Sequence, residues 1–404
     1  MKTELFLPCA QGVEPLLADE CARVLGEGAS VRAVRGGVVV HGDAPTAMRL
    51  NLESRLAQRV LWPLAHGEYR HENDLYELAR RVPWREWITP QQTLRVDTTA
   101  QRSPLRSLNF ASLRIKDAVC DVLREATGAR PSVDTRRPDL PLALHLTATH
   151  ATLYADTSGE ALFKRGWRDA GAQKGEAPLK ETLAAAMLAA AGWQGRAEDG
   201  PLLDPCCGAG TIAIEAAQIA CGIAPGLERR FAFERLAPWR EHLGAWRALR
   251  EAARARVHAS AVPLYAGDVS FRMTDFATRN AERAGVQGVI EFKTADALQR
   301  PPPAAAGTLV LNPPYGERIG AKGTQGREGF EQGEGSSAAF FAALAAHWKR
   351  HYAGWTAWVL SPDPKLPGLM RLKESRRVPM WNGPIECRLL RFDMVAGSAR
   401  EARH

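Results

Sequence analysis

The stretch Leu309-Val310-Leu311-Asn312-Pro313-Pro314-Tyr315-Gly316-Glu317-Arg318 constrains the fold more than any other in the chain. Residues 308–311 form a short apolar run that reads as a buried strand. The amide, two prolines and aromatic ring that follow cannot continue a central strand, because proline has no N–H to give to the ladder. The chain must therefore turn at that strand's carboxyl end. In an open parallel sheet this is the edge where ligands bind, so Asn312 and Tyr315 stand where chemistry can occur. By itself the stretch reads equally as a tight turn with a packed ring, and only context separates the two.

The context is a repeating β-α rhythm. Residues 202–213 read Leu-Leu-Asp-Pro-Cys-Cys-Gly-Ala-Gly-Thr-Ile-Ala: a short strand, Asp204, a glycine loop and a helix over 211–220. Gly208 and Gly210 let backbone amides approach a ligand at a helix N-terminus, and Thr211 can cap that helix. A strand at 263–266 leads to Asp268, a helix covers 271–285, a strand covers 288–293, and Asp296 follows. Three acids at successive strand ends beside a glycine loop indicate a ligand site. The Gly208-x-Gly210-x-x-Ala213 spacing also satisfies a dinucleotide fingerprint, so an NAD-dependent oxidoreductase is an alternative. Against it, the acid at the next strand end, Asp268, comes only after a long insertion at 222–258, which is the wrong spacing for a compact dinucleotide unit. Tryptophans in that insertion are expected to pack rather than to stack on bases.

Upstream, strands at 3–8 and 30–41 (with a turn or bulge at Gly36-Gly37) alternate with helices at 13–25 and 44–56, giving a small α+β unit over 1–57. The pattern repeats at larger scale over 58–168, with strands at 58–65, 92–99 and 142–156 and helices at 73–81 and 108–126. The apolar side of the last helix is assigned to Leu113, Ala118, Val122 and Leu123. Residues 170–178 read as a linker, 179–191 as a helix with Leu183, Met187 and Leu188 inward, and 169–396 as the domain of the glycine loop. After Tyr315, residues 320–335 are glycine-rich and polar, an idle loop or a lid. A helix at 337–351, a strand at 355–360 and an antiparallel pair at 376–381 and 386–394 complete the chain, with 397–404 a frayed tail. His347 and His351 share a helix face, but no further ligands accompany them, so no metal is expected.

With 404 residues, the chain calls for two or three domains. A net charge of +8 favours an anionic partner. The excess concentrates along 102–137, where Arg106, Arg114, Lys116, Arg136 and Arg137 are candidate phosphate contacts, since the arginine fork matches phosphate oxygens. The same charges also describe a solvated helix face. Seven scattered cysteines include no Cys-x-x-Cys, which excludes a disulfide framework or zinc knuckle and fits a reducing cytoplasm. No apolar stretch approaches membrane-spanning length, so the chain is expected to be cytoplasmic with no membrane partner.

Asp204-Pro-Cys206-Cys-Gly208-Ala-Gly210-Thr211 resembles the first motif of class I S-adenosylmethionine-dependent methyltransferases, and Asn312-Pro313-Pro314-Tyr315-Gly-Glu-Arg318 is similar to the catalytic motif of the RNA guanine branch. Together with residues 150–168, 175–181 and 382–384, they resemble the bacterial 23S ribosomal RNA guanine-N2 methyltransferases that carry a THUMP RNA-binding domain. The resemblance implies an α/β fold: a Rossmann-like class I methyltransferase domain preceded by α+β ferredoxin-like (1–57) and THUMP (58–168) domains. It implies S-adenosylmethionine as cofactor, held by Asp204, Cys206, Gly208, Gly210, Thr211, Asp268 (ribose), Asp296 (adenine) and Asn312. Catalysis is assigned to Asn312, Pro313, Pro314 and Tyr315, which would orient and stack the base. The partner implied is RNA, 23S ribosomal RNA or transfer RNA, with a non-catalytic RNA-binding assembly factor as the alternative of a different class. The family often has Asp-x-Asp where this chain has Asp268-Val269-Ser270, which puts the ribose contact in doubt. Longer fused members add a second methyltransferase domain, so a second methylation activity is expected to be absent.

Overall fold

The computed structural model describes residues 2–168, 179–313 and 334–395. The expected linker at 170–178, Pro314, Tyr315, most of the 320–335 loop and the tail lie outside the described residues. Two compact units emerge, and they do not follow chain order. The first comprises Met1–Cys9, Leu17–Leu162 and Pro225–Ala253; the second comprises Ala10–Leu16, Phe163–Ala224 and Arg254–His404.

The strands of the first unit are β1 (Thr3–Pro8), β2 (Val31–Val34), β3 (Gly37–Gly42), β4 (Leu61–Glu68), β5 (Thr93–Ala100), β6 (Ser132–Val133), β7 (Leu140–Leu146) and β8 (His150–Asp156). They make one sheet in the order β2-β3-β1-β4-β8-β7-β5-β6. Helices α1 (Glu14–Leu25), α2 (Ala44–Glu53), α3 (Glu72–Arg80) and α4 (Leu108–Thr127) alternate with them.

One expected strand divides at its expected glycine turn, and another, expected to be continuous, is a hairpin. The 30–41 strand splits into β2 and β3 at Gly36, whose φ of +80° reverses the chain. The 142–156 strand splits into antiparallel β7 and β8, with Thr147 N–H closing the turn on the His150 carbonyl. Helix α4 begins at a Ser107 cap that accepts from Phe110 N–H and ends at Gly128 in the left-handed region. Its buried stripe runs through Ala111, Ile115, Ala118, Val119 and Leu123, whereas Leu113 is 40% exposed, so the apolar face is rotated from the expected one.

The 222–258 insertion contributes its 225–253 portion to this unit. Trp239 is fully buried and meets the Trp62 ring edge-on at 5.0 Å, and Trp246 packs against Phe231 and Phe233. Tryptophan on these helices is core, as expected from the sequence.

The second unit starts with α5 (Glu181–Ala191), then β9 (Leu202–Asp204) and α6 (Thr211–Ala220). After the insertion with its α7 (Leu243–Ala255) come β10 (Leu264–Asp268), α8 (Phe271–Arg283), β11 (Ile290–Thr294) and β12 (Gly307–Leu311). Next are α9 (Glu334–His351), β13 (Trp355–Ser361), α10 (Leu366–Met370), β14 (Arg376–Asn382) and β15 (Ile385–Asp393). The sheet order is β11-β10-β9-β12-β13-β15-β14. From β11 to β13 the strands are parallel, while β15 pairs antiparallel with both β13 and β14.

The chain steps outward from β9 to β11 and then returns to the other side of β9 with β12. That reversal opens a crevice at the carboxyl ends of β9 and β12, the general ligand position in doubly wound sheets. Side chains from β12, α9, β13 and β15 close one face of the sheet, among them Leu309, Leu311, Phe341, Trp348, Val359 and Phe392. Fully burying each contributes roughly 1.5–3 kcal/mol, so the crevice edge stands on a rigid base.

Candidate active site

Every described residue of the expected site in this unit falls at that carboxyl edge. Asp204 is the last residue of β9, Asp268 the last of β10, Asp296 lies two residues beyond β11, and Asn312 follows β12 directly. The parallel register pairs Ala266 with Asp204 and Asp268 with Thr294, which sets the three strand ends side by side.

The glycine loop is closed by backbone bonds: Cys207 N–H donates to the Gly267 carbonyl (2.7 Å) and Gly210 N–H to the Cys207 carbonyl (2.8 Å). Gly208 and Gly210 have φ of +52° and +83°, which side chains rarely adopt. At Gly210 a Cβ would also come within 3.0 Å of the Ala277 Cβ, so α8 packs against the loop there. Asn280, a buried residue of α8, donates from Nδ2 to the Ala209 carbonyl at 2.9 Å. Nothing in the local pattern marked Asn280; its role exists only because α8 returns across the loop.

The acids differ in setting. Asp204 is 1% exposed and accepts Cys206 N–H at 3.2 Å. Burial pushes its pKa up to about 8, with Asp268 adding to the rise and the Cys206 N–H and Arg300 opposing it. Asp268 bridges two elements, accepting Gly208 N–H at 3.1 Å and Ser270 N–H at 2.9 Å. Its pKa is also raised by burial, against those two bonds. Each of its oxygens keeps a further lone pair for a ligand hydroxyl. Ser270 is the residue before α8 and contributes its backbone rather than a second carboxylate. Asp296 accepts Leu298 N–H at 2.9 Å. Burial drives both Cys206 and Cys207 well above the ordinary thiol range, which removes them as nucleophiles at neutral pH.

Asn312 Oδ1 is shielded from solvent and has no hydrogen-bond partner among the described residues. A shielded carbonyl oxygen left unpaired costs about 1–3 kcal/mol, so its retention calls for an explanation. As an acceptor it is open to a donor outside the described residues. Pro314 and Tyr315 lie beyond the described residues.

Arg300 is a buried position beside the strand ends that the sequence pattern does not mark. It is 5% exposed and donates from Nη1 to the Ala266 carbonyl at 3.0 Å, behind the loop. Its own carbonyl accepts from His347 Nε2 (2.7 Å) and the Tyr352 hydroxyl (2.9 Å), tying α9 to the segment after Asp296. His347 is thereby accounted for as a structural donor. In the first unit, Arg106, Arg136 and Arg137 are exposed, while Arg114 is half-buried over the Tyr76 ring (4.4 Å) and bonded to Asn73, and Lys116 pairs with Asp117. Arg114 is thus partly occupied in holding α3 to α4.

Comparison with known proteins matches residues 165–391 to the methyltransferase domain described as RMKL-like, residues 69–156 to the THUMP domain and residues 4–61 to the RlmL ferredoxin-like domain. A ribosomal RNA large subunit methyltransferase K/L of Syntrophotalea carbinolica is 40% identical over 97% of this chain and 54% of its own length. The chain therefore spans about half the length of the curated relatives it matches first. A Synechocystis protein named as a candidate RNA methyltransferase is 34% identical over 96% of both chains. The solved structure of SMU.472, a candidate methyltransferase complexed with SAH, superposes with a TM-score of 0.84 at 24% identity, covering 97% of this chain and 98% of that one; it supports the fold. No helix among the described residues is long and apolar enough to cross a membrane.

Proposed function

Because the chain belongs to the RMKL-like methyltransferase family, we propose that it transfers a methyl group from S-adenosylmethionine to the exocyclic N2 amine of a guanosine in structured RNA, 23S ribosomal RNA in the first instance. The family membership removes the NAD-dependent oxidoreductase alternative. The observation that carries the amine assignment is the shielded Asn312 Oδ1 at the end of β12, which has no partner among the described residues.

The residues fit the donor. Gly208 and Gly210 carry no side chain to keep its methionine part from the loop backbone and the start of α6, while their own N–H groups stay committed to Asp268 and to the Cys207 carbonyl. Asp268 retains lone pairs for ribose hydroxyls, and Asp296 stands at the next strand end for the adenine amino group. Asp204 answers a cationic ligand with a buried carboxylate. When bound, the donor supplies an electrophilic methyl on a positively charged sulfur.

This chain's own part is orientation. A guanine N2 lone pair is delocalised into the ring, which makes the amine a weak nucleophile. Asn312 Oδ1 and the Pro313 carbonyl accept its two N–H groups, which localises the lone pair and aims it along the direction of transfer. Tyr315 stacks on a base taken out of its helix. The amine gains the methyl and loses a proton to solvent, without a covalent enzyme intermediate, so positioning and preorganised dipoles carry the rate. The exposed Arg106, Arg136 and Arg137, with Arg114 and Lys116 contributing less, add affinity for the RNA backbone.

Purified protein supplied with labelled S-adenosylmethionine and unmodified 23S ribosomal RNA or transfer RNA, followed by nucleoside analysis, tests the proposal. Label in N2-methylguanosine from ribosomal RNA supports it; label from transfer RNA alone transfers the reading to that substrate. Binding of both RNAs without any methylation would favour an assembly factor.

A further inference from the structure

Arg168 is held from several sides within the second unit. Its Nε donates to Glu181, and its Nη2 donates to the Leu179 carbonyl (3.0 Å) and to the Thr211 hydroxyl (2.6 Å). The guanidinium lies 4.8 Å from the centre of the Trp167 ring. Arg283 fixes the preceding backbone, donating to the Trp167 carbonyl at 2.9 Å. Glu181 opens α5 and is 2% exposed; Thr211 opens α6 immediately after Gly210. The guanidinium is thus anchored against the first residue beyond the glycine loop.

One polar atom of this fork, Arg168 Nη1, is shielded from solvent and has no hydrogen-bond partner among the described residues. Arginine does not escape such a situation by giving up its proton, and an unpaired N–H on a charged group is more costly than a neutral one. An anion would answer it.

The site described above supplies the complementary problem. Its strand-end side chains Asp204, Asp268 and Asp296 are acids, and the Nη1 of Arg300 is committed to the Ala266 carbonyl. The methyl donor carries a carboxylate alongside its cationic sulfur and ammonium, and none of these strand-end acids supplies that carboxylate with a cationic partner. We propose that Arg168 is the binding residue for the carboxylate of the donor's amino-acid part, donating from Nη1, with the N–H groups at the start of α6 adding positive potential. Glu181 is then a positioning residue that fixes the fork. The inference rests on the methyl-donor reading and adds to it a residue outside the glycine loop and the strand ends.

The test compares binding of S-adenosylmethionine with that of decarboxylated S-adenosylmethionine, which differs only in lacking that carboxylate. Calorimetry is run on the unmodified protein, Arg168→Lys, and the charge-balanced double variant Arg168→Gln with Glu181→Gln. We expect the unmodified protein to favour S-adenosylmethionine by at least about tenfold, the scale of one charge-assisted hydrogen bond. Both variants should lose that preference to within about threefold, while keeping affinity for the decarboxylated compound within about threefold of the unmodified protein. Should Arg168→Lys fail to fold, the double variant, which leaves no buried charge unpaired, decides. Equal binding of the two compounds by the unmodified protein overturns the inference. So does a preference preserved in the variants, or an equal loss for both compounds, which would make Arg168 purely structural. Failure of the unmodified protein to bind either compound would contradict the methyl-donor reading itself.

Discussion

At the residue scale, Asn312 and Asp204 show how differently two polar groups behave in one crevice. Asn312 holds an acceptor that is shielded from water and has no partner among the described residues. Asn312→Ala should lower methyl transfer by at least about a hundredfold, as removal of a transition-state hydrogen-bonding group does. Donor affinity should stay within about threefold in calorimetry; unaltered turnover would contradict the clamp. Asp204 has a folded pKa of about 8, against about 3.9 for an unfolded chain. The ligand-free folded state therefore holds the extra proton between these values, and its stability falls as pH rises through that window. A cationic ligand favours the ionised carboxylate, so donor affinity should rise over the same window and level off above it. Asp204→Asn removes the charge yet keeps an oxygen for Cys206 N–H. It should raise the melting temperature of the ligand-free protein at pH 7 and flatten the pH dependence of donor binding. An unchanged melting temperature together with an unchanged pH slope would contradict this assignment. Both residues were legible in the sequence because a strand end followed by an acid or by Asn-Pro-Pro leaves few alternatives. Arg168 and Arg300 were not, because what they do depends on Thr211 and on the Ala266 carbonyl, partners remote in the chain.

At the element scale, the glycine loop shows where local chemistry decides structure. Gly210 combines a φ of +83° with close approach to Ala277 on α8. Gly210→Ala should destabilise the protein by about 1–3 kcal/mol, seen as a lowered midpoint in urea. Donor binding should weaken as the loop shifts; wild-type stability would show that α8 gives way freely. The strands and helices around this loop were readable from apolar runs, and the second sheet was correspondingly well anticipated. The hairpin between β7 and β8 was hidden because its turn, Thr147-Ala148-Thr149, contains neither glycine nor proline. The face of α4 was misplaced because Leu113 satisfies a helical apolar pattern yet stands 40% exposed, while Ile115 and Val119 are buried. Periodicity locates a stripe; what covers it is set by the rest of the unit.

At the scale of the whole molecule, the sequence indicated an N-terminal α+β region, a basic stretch and a Rossmann-like region, but not that part of the insertion belongs to the first unit. Residues 225–253 join the first unit through Trp239 and Trp246, a pairing fixed by aromatic partners such as Trp62 and Trp87 that no local pattern encodes. The exposed Arg136 and Arg137 belong to that same unit and carry a separate prediction. Replacing each with Ala should weaken RNA binding with little regard to sequence and lower the salt dependence of log Kd by roughly one unit for each phosphate no longer neutralised. A titration at several salt concentrations reads this directly, and unchanged slopes would remove these arginines from the RNA surface. The most direct measurement is mass-spectrometric mapping of N2-methylguanosine in 23S ribosomal RNA from cells lacking this protein, with and without the gene restored. One N2-methylguanosine should disappear, return with the unmodified protein and fail to return with Asn312→Ala. An unaltered set of N2-methylguanosines in that RNA would contradict the central claim.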